Sequence, residues 1–226
     1  MKIKALLFDA DQTLFNFKKA EEVAFHKTMQ EASLLDSDEL YQRYSQINDA
    51  MWKKLERNEI GKTELRVERF RLYFEETKQI ANQQHISTIF TDHLSLQGIL
   101  FEDAIPLVSR CALKVNCYIA SNGIGYVQRT RFAASNLQPY IKDLFISEEL
   151  KAEKPSVDFF KPIFEKLNAE PHEVAIVGDS LTADIQGGFN AGCITVWFNP
   201  EQVENHTKIK PDYEITQLQE VYDLFF

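Results

Sequence analysis

Ile3-Lys4-Ala5-Leu6-Leu7-Phe8-Asp9-Ala10-Asp11-Gln12-Thr13 joins an uninterrupted apolar run to a pair of acids. The run has the length and continuity of a buried strand. Two carboxylates at the end of such a strand are costly to bury unless their charge is used. A spacing of two puts Asp9 and Asp11 on one face if the strand continues, and in one pocket if the chain turns there. Carboxylates that close repel, so either a cation lies between them or one keeps its proton. Both solutions suit phosphate chemistry. The same pair also serves as an ordinary turn after a strand in α/β proteins.

Four further runs have strand character: Val115–Ala120, Leu144–Ile146, Val174–Val177 and Ile194–Phe198. Stretches of helical length separate them, which predicts a parallel sheet with crossover helices. Val157, Phe160, Phe164 and Leu167 keep helical spacing behind Ser156, an N-cap residue, and Gly192 closes the helix that opens after Asp179. The gap between the first two strands is far too long for a loop. Within it Leu40, Tyr44, Ile47, Met51 and Leu55 recur at three and four, as do Val67, Phe70 and Phe74, with Asn58-Glu59-Ile60-Gly61 between the two patterns. The sequence therefore predicts an α/β fold: a Rossmann-like parallel sheet core over 1–16 and 94–226, with an inserted α-helical module over 17–93. Inserted just past Asp9 and Asp11, that module is expected to sit over them as a lid. Helices packed on the sheet edge are the plainer alternative.

A chain of 226 residues with 44% hydrophobic content can bury a sizeable core. Its net charge of −9 argues against a nucleic-acid polymer as partner. It leaves room for a small phosphate ester, since a metal and a lysine can reverse the field in one pocket. Cys111, Cys117 and Cys193 fit neither a disulfide framework nor a zinc knuckle. No apolar h-region or span of membrane-crossing length follows Met1-Lys2-Ile3-Lys4, so a soluble, cytoplasmic protein without a membrane partner is expected.

The other strand ends carry polar groups. Val115–Ala120 leads into Ser121-Asn122-Gly123, a hydroxyl, an amide and an open backbone, all able to donate to phosphate oxygens. Lys154-Pro155 follows the third strand. Val174–Val177 leads through Gly178 into Asp179-Ser180, with Asp184 placed to point back if a helix starts between them. Two acids there suit a hard cation such as Mg²⁺. Singly each is unremarkable: Ser-Asn-Gly is a common turn and a lone lysine is usually solvated. Together they set Asp9, Asp11, Ser121, Lys154 and Asp179 at the carboxyl ends of parallel strands, where open α/β sheets bind ligands.

The ordered set Asp9-x-Asp11-x-Thr13, Ser121, Lys154-Pro155 and Gly178-Asp179-Ser180-x-x-x-Asp184 resembles the four motifs of the haloacid dehalogenase (HAD) superfamily phosphatases, and the helical insertion resembles their C1-type cap. Gln12 stands where many relatives have glycine. Phe8-Asp9-Ala10-Asp11, Trp52, Asn122-Gly123 with Gln128 and Arg131, and Ile146-Ser147-Glu148-Glu149 are similar to the YjjG-type bacterial 5′-nucleotidases, which act on pyrimidine and non-canonical nucleoside monophosphates. The resemblance implies a phosphomonoester hydrolase working through an aspartyl phosphate on Asp9, with Asp11 as acid and then base. It implies Mg²⁺, or Mn²⁺ or Co²⁺ in its place, on the Asp9 and Asp179 carboxylates and the Asp11 carbonyl, with Asp184 and Ser180 ordering the metal's surroundings. Ser121, the Asn122 backbone, Gly123 and Lys154 would hold the phosphoryl group, and Thr13 would support the loop. Trp52, and more weakly Tyr44 and Phe17, are candidates to contact a nucleobase or sugar, although Trp52 lies beside Met51 in an apolar helical pattern and reads as readily as packing.

Neighbouring chemistries separate on single residues. Transport ATPases of this superfamily carry threonine where Asp11 stands, and its dehalogenases need no metal. A sugar phosphatase or sugar-phosphate mutase remains open, as does a phosphate-binding protein without catalysis, though binding alone requires no nucleophile and acid.

Overall fold

The computed structural model describes residues 3–57 and 59–226. Met1 and Lys2 at the chain start and Asn58 of the expected helix break lie outside the described residues. Contacts divide the chain into two units, one formed by the segment up to Phe17 with Gly98–Phe226, the other by Lys18–Gln97.

The first unit holds strands β1 (Ala5–Phe8), β2 (Asn116–Ser121), β3 (Ile141–Ile146), β4 (Val174–Gly178), β5 (Ile194–Phe198) and β6 (Tyr213–Ile215). They form one sheet in the order β3-β2-β1-β4-β5-β6, with every neighbouring pair parallel. β1 and β4 are buried along their whole length, as parallel strands covered on both faces must be. The pleat sorts β1 between two layers: Leu6 and Phe8 pack with Leu107, Val108 and Ile119, while Ala5 and Leu7 pack with Phe159, Phe160 and Ile163. Burying each such large side chain stabilises the fold by roughly 2 kcal/mol. The chain runs outward from β1 to β3 on one side and returns to β4 on the other. That reversal opens a crevice at the carboxyl ends of β1 and β4. β6 escapes the sequence reading because it is three residues long and mostly exposed. β3 starts at Ile141, its early part hidden by Lys142 and Asp143.

The helices are α1 (Phe17–Glu31), α2 (Asp38–Glu56), α3 (Lys62–Thr77), α4 (Gln83–Ser95), α5 (Ala104–Ala112), α6 (Gly125–Ala134), α7 (Ser147–Leu150), α8 (Val157–Leu167), α9 (Gln186–Ala191) and α10 (Glu220–Phe225). Ser156 caps α8 by accepting from the Asp158 N–H, and Gly192 ends α9 at φ 82°. Among the described residues, no helix is long and apolar enough to cross a membrane.

In the Lys18–Gln97 unit, α2 and α4 are N-capped by Ser37 and Asn82. Because α4 runs to Ser95, the unit extends past the expected limit at His93. Its core is aromatic, with Tyr44 stacked on Phe70 at 5.1 Å and flanked by Phe25 and Phe90. Inside it lies a carboxylate: Glu21 accepts from Asn48 Nδ2 (2.6 Å), Ser45 Oγ (3.0 Å) and the Tyr41 hydroxyl (3.3 Å). Arg69 Nη1 donates to Asn48 Oδ1 at 2.9 Å and its guanidinium lies 4.7 Å from the Phe90 ring centre.

The two chain crossings that bound this unit run side by side in the first. The Asn16 N–H donates to the Ile99 carbonyl, the Phe101 N–H to the Leu14 carbonyl, and Phe15 bridges Leu100 antiparallel.

Candidate active site

Strand β1 delivers Asp9 to the crevice, and the Asp9 N–H donates to the Val177 carbonyl of β4, extending the ladder one residue beyond the strand. The chain then turns through Gln12 at φ 60°. A left-handed residue with a side chain costs roughly 1 kcal/mol; here the turn is closed by the Gln12 N–H donating to the Phe15 carbonyl. Thr13 is fully buried in this loop, its hydroxyl without a hydrogen-bond partner among the described residues.

β4 delivers Asp179, followed by a wide π-type turn over Leu181–Ile185 that swings Asp184 back towards the strand end. Ser180 holds this turn from both sides, its N–H donating to Asp184 Oδ2 (3.1 Å) and its hydroxyl accepting from the Ala183 N–H. Gly178 makes the return possible, since a Cβ there would lie 2.3 Å from the Asp184 carboxylate. The Trp197 indole N–H, from β5, pins the Asp179 carbonyl at 2.9 Å.

Lys154 is buried among these acids. Its ammonium donates to Asp9 Oδ1, Asp184 Oδ1 and the Ala120 carbonyl, each at 2.6 Å. Burial works against that charge, but Asp184 and Asp9 more than compensate and hold Lys154 protonated. Burial pushes the Asp9 carboxyl up to about 7, with Asp184 and Asp11 adding to the rise and Lys154 opposing it. Asp179 is raised well above the ordinary range by burial first, then by Asp9 and Asp184.

Asp9, Asp179 and Asp184 each offer an oxygen within 4.8 Å of the others. Three carboxyl groups face one lysine in a buried place, and the raised Asp9 and Asp179 carboxyls mark charge that this lysine alone does not offset. The oxygen-only donors fit a hard divalent cation.

Ser121 ends β2 beside this cluster. Its hydroxyl accepts from the Gly123 N–H (3.0 Å) and from Gln128 Nε2 (2.9 Å), so its own hydrogen is what it can present to a ligand. Gly123 thus directs its N–H at Ser121 rather than outward. The Asn122 side chain is a tie between loops: it donates to the Lys154 carbonyl (2.8 Å) and accepts from the Lys154 N–H (2.9 Å).

Asp11 lies apart from the acid cluster in its bonding. Gln128 Nε2 donates to its Oδ2 at 2.6 Å and Arg131 Nη1 to its Oδ1 at 2.5 Å. Sequence alone named Gln128 and Arg131 only as points of likeness. Their contact with Asp11 spans more than a hundred residues of chain, and no local pattern announces it. Trp197 was likewise silent, reading as one more apolar position of β5.

The aromatic candidates divide between the two units. Trp52 packs half-buried against Met51, Leu55 and Leu65 within the helical unit. Tyr44 is wholly buried there, and the Phe17 ring lies 5.6 Å from the Arg131 guanidinium. All three cysteines are unpaired and buried.

The family model for haloacid dehalogenase-like hydrolases matches residues 3–192. The chain is 38% identical over 225 residues to the pyrimidine 5′-nucleotidase PynA of Streptococcus pneumoniae, covering 99% of this chain and 95% of that protein. It is 27% identical to the pyrimidine 5′-nucleotidase YjjG of Escherichia coli, over 99% and 98%. A magnesium-bound crystal structure of the HAD-hydrolase YfnB from Bacillus subtilis, described as revealing interdomain movement, matches with a TM-score of 0.94 at 31% identity over 99% of both chains.

Proposed function

The chain belongs to the haloacid dehalogenase-like hydrolase family, and from that premise we propose that it is a Mg²⁺-dependent phosphatase releasing phosphate from nucleoside 5′-monophosphates, pyrimidine nucleotides foremost. The observation that carries the reading is the 38% identity to a pyrimidine 5′-nucleotidase along essentially the whole chain, helical insertion included.

The site residues divide the chemistry among them. An Asp9 carboxylate oxygen attacks phosphorus, the ester P–O bond breaks, and the leaving sugar oxygen takes a proton from Asp11. Water then attacks the phosphorus of the aspartyl phosphate, yielding its proton to Asp11 and freeing inorganic phosphate and Asp9. Lys154 and the Ser121 hydroxyl hold the phosphoryl oxygens, supported by the Asn122–Lys154 tie. A magnesium ion held by Asp9 and Asp179, with Asp184 beside them, would supply positive charge that offsets the repulsion between an anionic nucleophile and an anionic ester. The acidic cluster favours phosphate chemistry over dehalogenation, which needs no such cation.

The test is phosphate release from a panel of nucleoside 5′-monophosphates, sugar phosphates and p-nitrophenyl phosphate, with Mg²⁺ and with excess chelator. Uridine and cytidine 5′-monophosphates are expected to be the better substrates, with activity lost in chelator. Faster release from sugar phosphates would move the assignment to a sugar phosphatase. No release from any ester would overturn it.

A further inference from the structure

We propose that Arg131 and Gln128 are positioning residues for Asp11, fixing where its carboxylate points and linking it to the phosphate-holding hydroxyl of Ser121; this rests on the phosphatase reading above. Both oxygens of Asp11 are taken by α6, Oδ1 by Arg131 and Oδ2 by Gln128. The two donors are three residues apart and so share one face of the helix.

The arrangement is built rather than incidental. The Asp11 side chain is 29% exposed while the Arg131 side chain is 1% exposed, so the fold buries a cation in order to reach a carboxylate at the site's edge. Its guanidinium is held at 4.8 Å from the Phe15 ring centre and 5.6 Å from that of Phe17. Gln128 can adopt only one amide orientation here. Its oxygen accepts from Arg131 Nη1 at 3.1 Å, which leaves the Nε2 hydrogens for Asp11 and Ser121. Gly123 clears the way, since a Cβ there would meet Gln128 Nε2 at 2.3 Å.

One amide nitrogen therefore touches both the group that meets the phosphoryl oxygens and the group that protonates the leaving oxygen. The cations are divided among the acids: Lys154 bonds Asp9 and Asp184, and Arg131 bonds Asp11. Loss of this clamp should harm proton transfer to the leaving group more than phosphate binding.

The experiment is a double-mutant cycle read as kcat/KM, which reports formation of the covalent intermediate, on uridine 5′-monophosphate and on p-nitrophenyl phosphate, whose leaving group needs little protonation. Arg131→Met is expected to lower kcat/KM for the nucleotide by about 10²-fold and for the aryl ester by at least about tenfold less. Arg131→Lys should recover part of the loss. In an Asp11→Asn background, Arg131→Met should add little further loss. Equal losses on both esters, or an undiminished effect in the Asp11→Asn background, would overturn the proposal. If Arg131→Met does not fold, Arg131→Lys, which keeps the buried charge but not the fork of donors, carries the same cycle with a smaller expected loss and the same criteria. Wild-type protein inactive on both esters would instead bring down the phosphatase reading, and the positioning proposal with it.

Discussion

Asp9 and Asp11 differ by two positions and by nearly everything that surrounds them. Asp9 is buried against Lys154 in the acid cluster, while Asp11 is more exposed and bonded to Arg131 and Gln128. The first environment suits a nucleophile whose charge a cation can offset, the second a carboxylate held in one direction by two donors. Asp9→Asn keeps the shape and removes the nucleophile, so kcat should fall at least about 10³-fold with the circular dichroism spectrum unchanged. Retention of a tenth of wild-type turnover, with deamidation excluded by mass spectrometry, would end the nucleophile assignment. At this scale the sequence was readable for position: Asp9, Ser121 and Asp179 stand at the carboxyl ends of β1, β2 and β4, as an acid or hydroxyl behind an apolar run predicts. It was not readable where function depends on which atom a side chain meets. The Asn122 amide went to Lys154, an outcome set by tertiary approach, while the Gly123 N–H folded back on Ser121 two residues earlier, a local turn that competes with an outward-facing donor.

Among the elements, α2 and α3 of the insertion were legible because their apolar positions recur at three and four, and β1, β4 and β5 because doubly covered strands are largely apolar; α1 and α4 were covered only by the extent of the helical module. β6 has neither signal. Nor did periodicity reveal Glu21, an acid on the buried face of α1. Burial raises its carboxyl from the usual 4.5 to about 7, with Lys18 and Ser45 opposing the rise. A carboxyl raised in the folded state favours folding while it is protonated. Its contribution is full below about 4.5 and is lost as pH climbs to about 7, to the order of 3 kcal/mol. Thermal melts in saturating Mg²⁺ should therefore show wild-type stability falling between pH 5 and pH 8 more steeply than that of Glu21→Gln. Identical slopes would mean that Asn48, Ser45 and Tyr41 solvate the charge as well as water does.

For the molecule as a whole, Asp9 and Asp179 act in the same direction. Their raised carboxyls stabilise the metal-free fold at low pH and cease to do so as pH rises through about 7 for Asp9. Mg²⁺ binds the ionised form and so competes with protons. At about a hundred times its dissociation constant it should raise the melting temperature by about 5–10 °C at pH 8 and far less at pH 5. Asp179→Asn should shrink the pH 8 shift, and an equal shift at both pH values would argue against carboxylate ligation. The paired crossings at Asn16 and Ile99 carry a different implication, one about history. Within the first unit the two strands of chain that lead into and out of the insertion are already held together by two hydrogen bonds and a bridge. Closing a flexible loop costs only about 0.6 kcal/mol more for each doubling of its length. The helical cassette can therefore be lengthened, trimmed or exchanged by recombination at little cost to the closure that holds β1 in register.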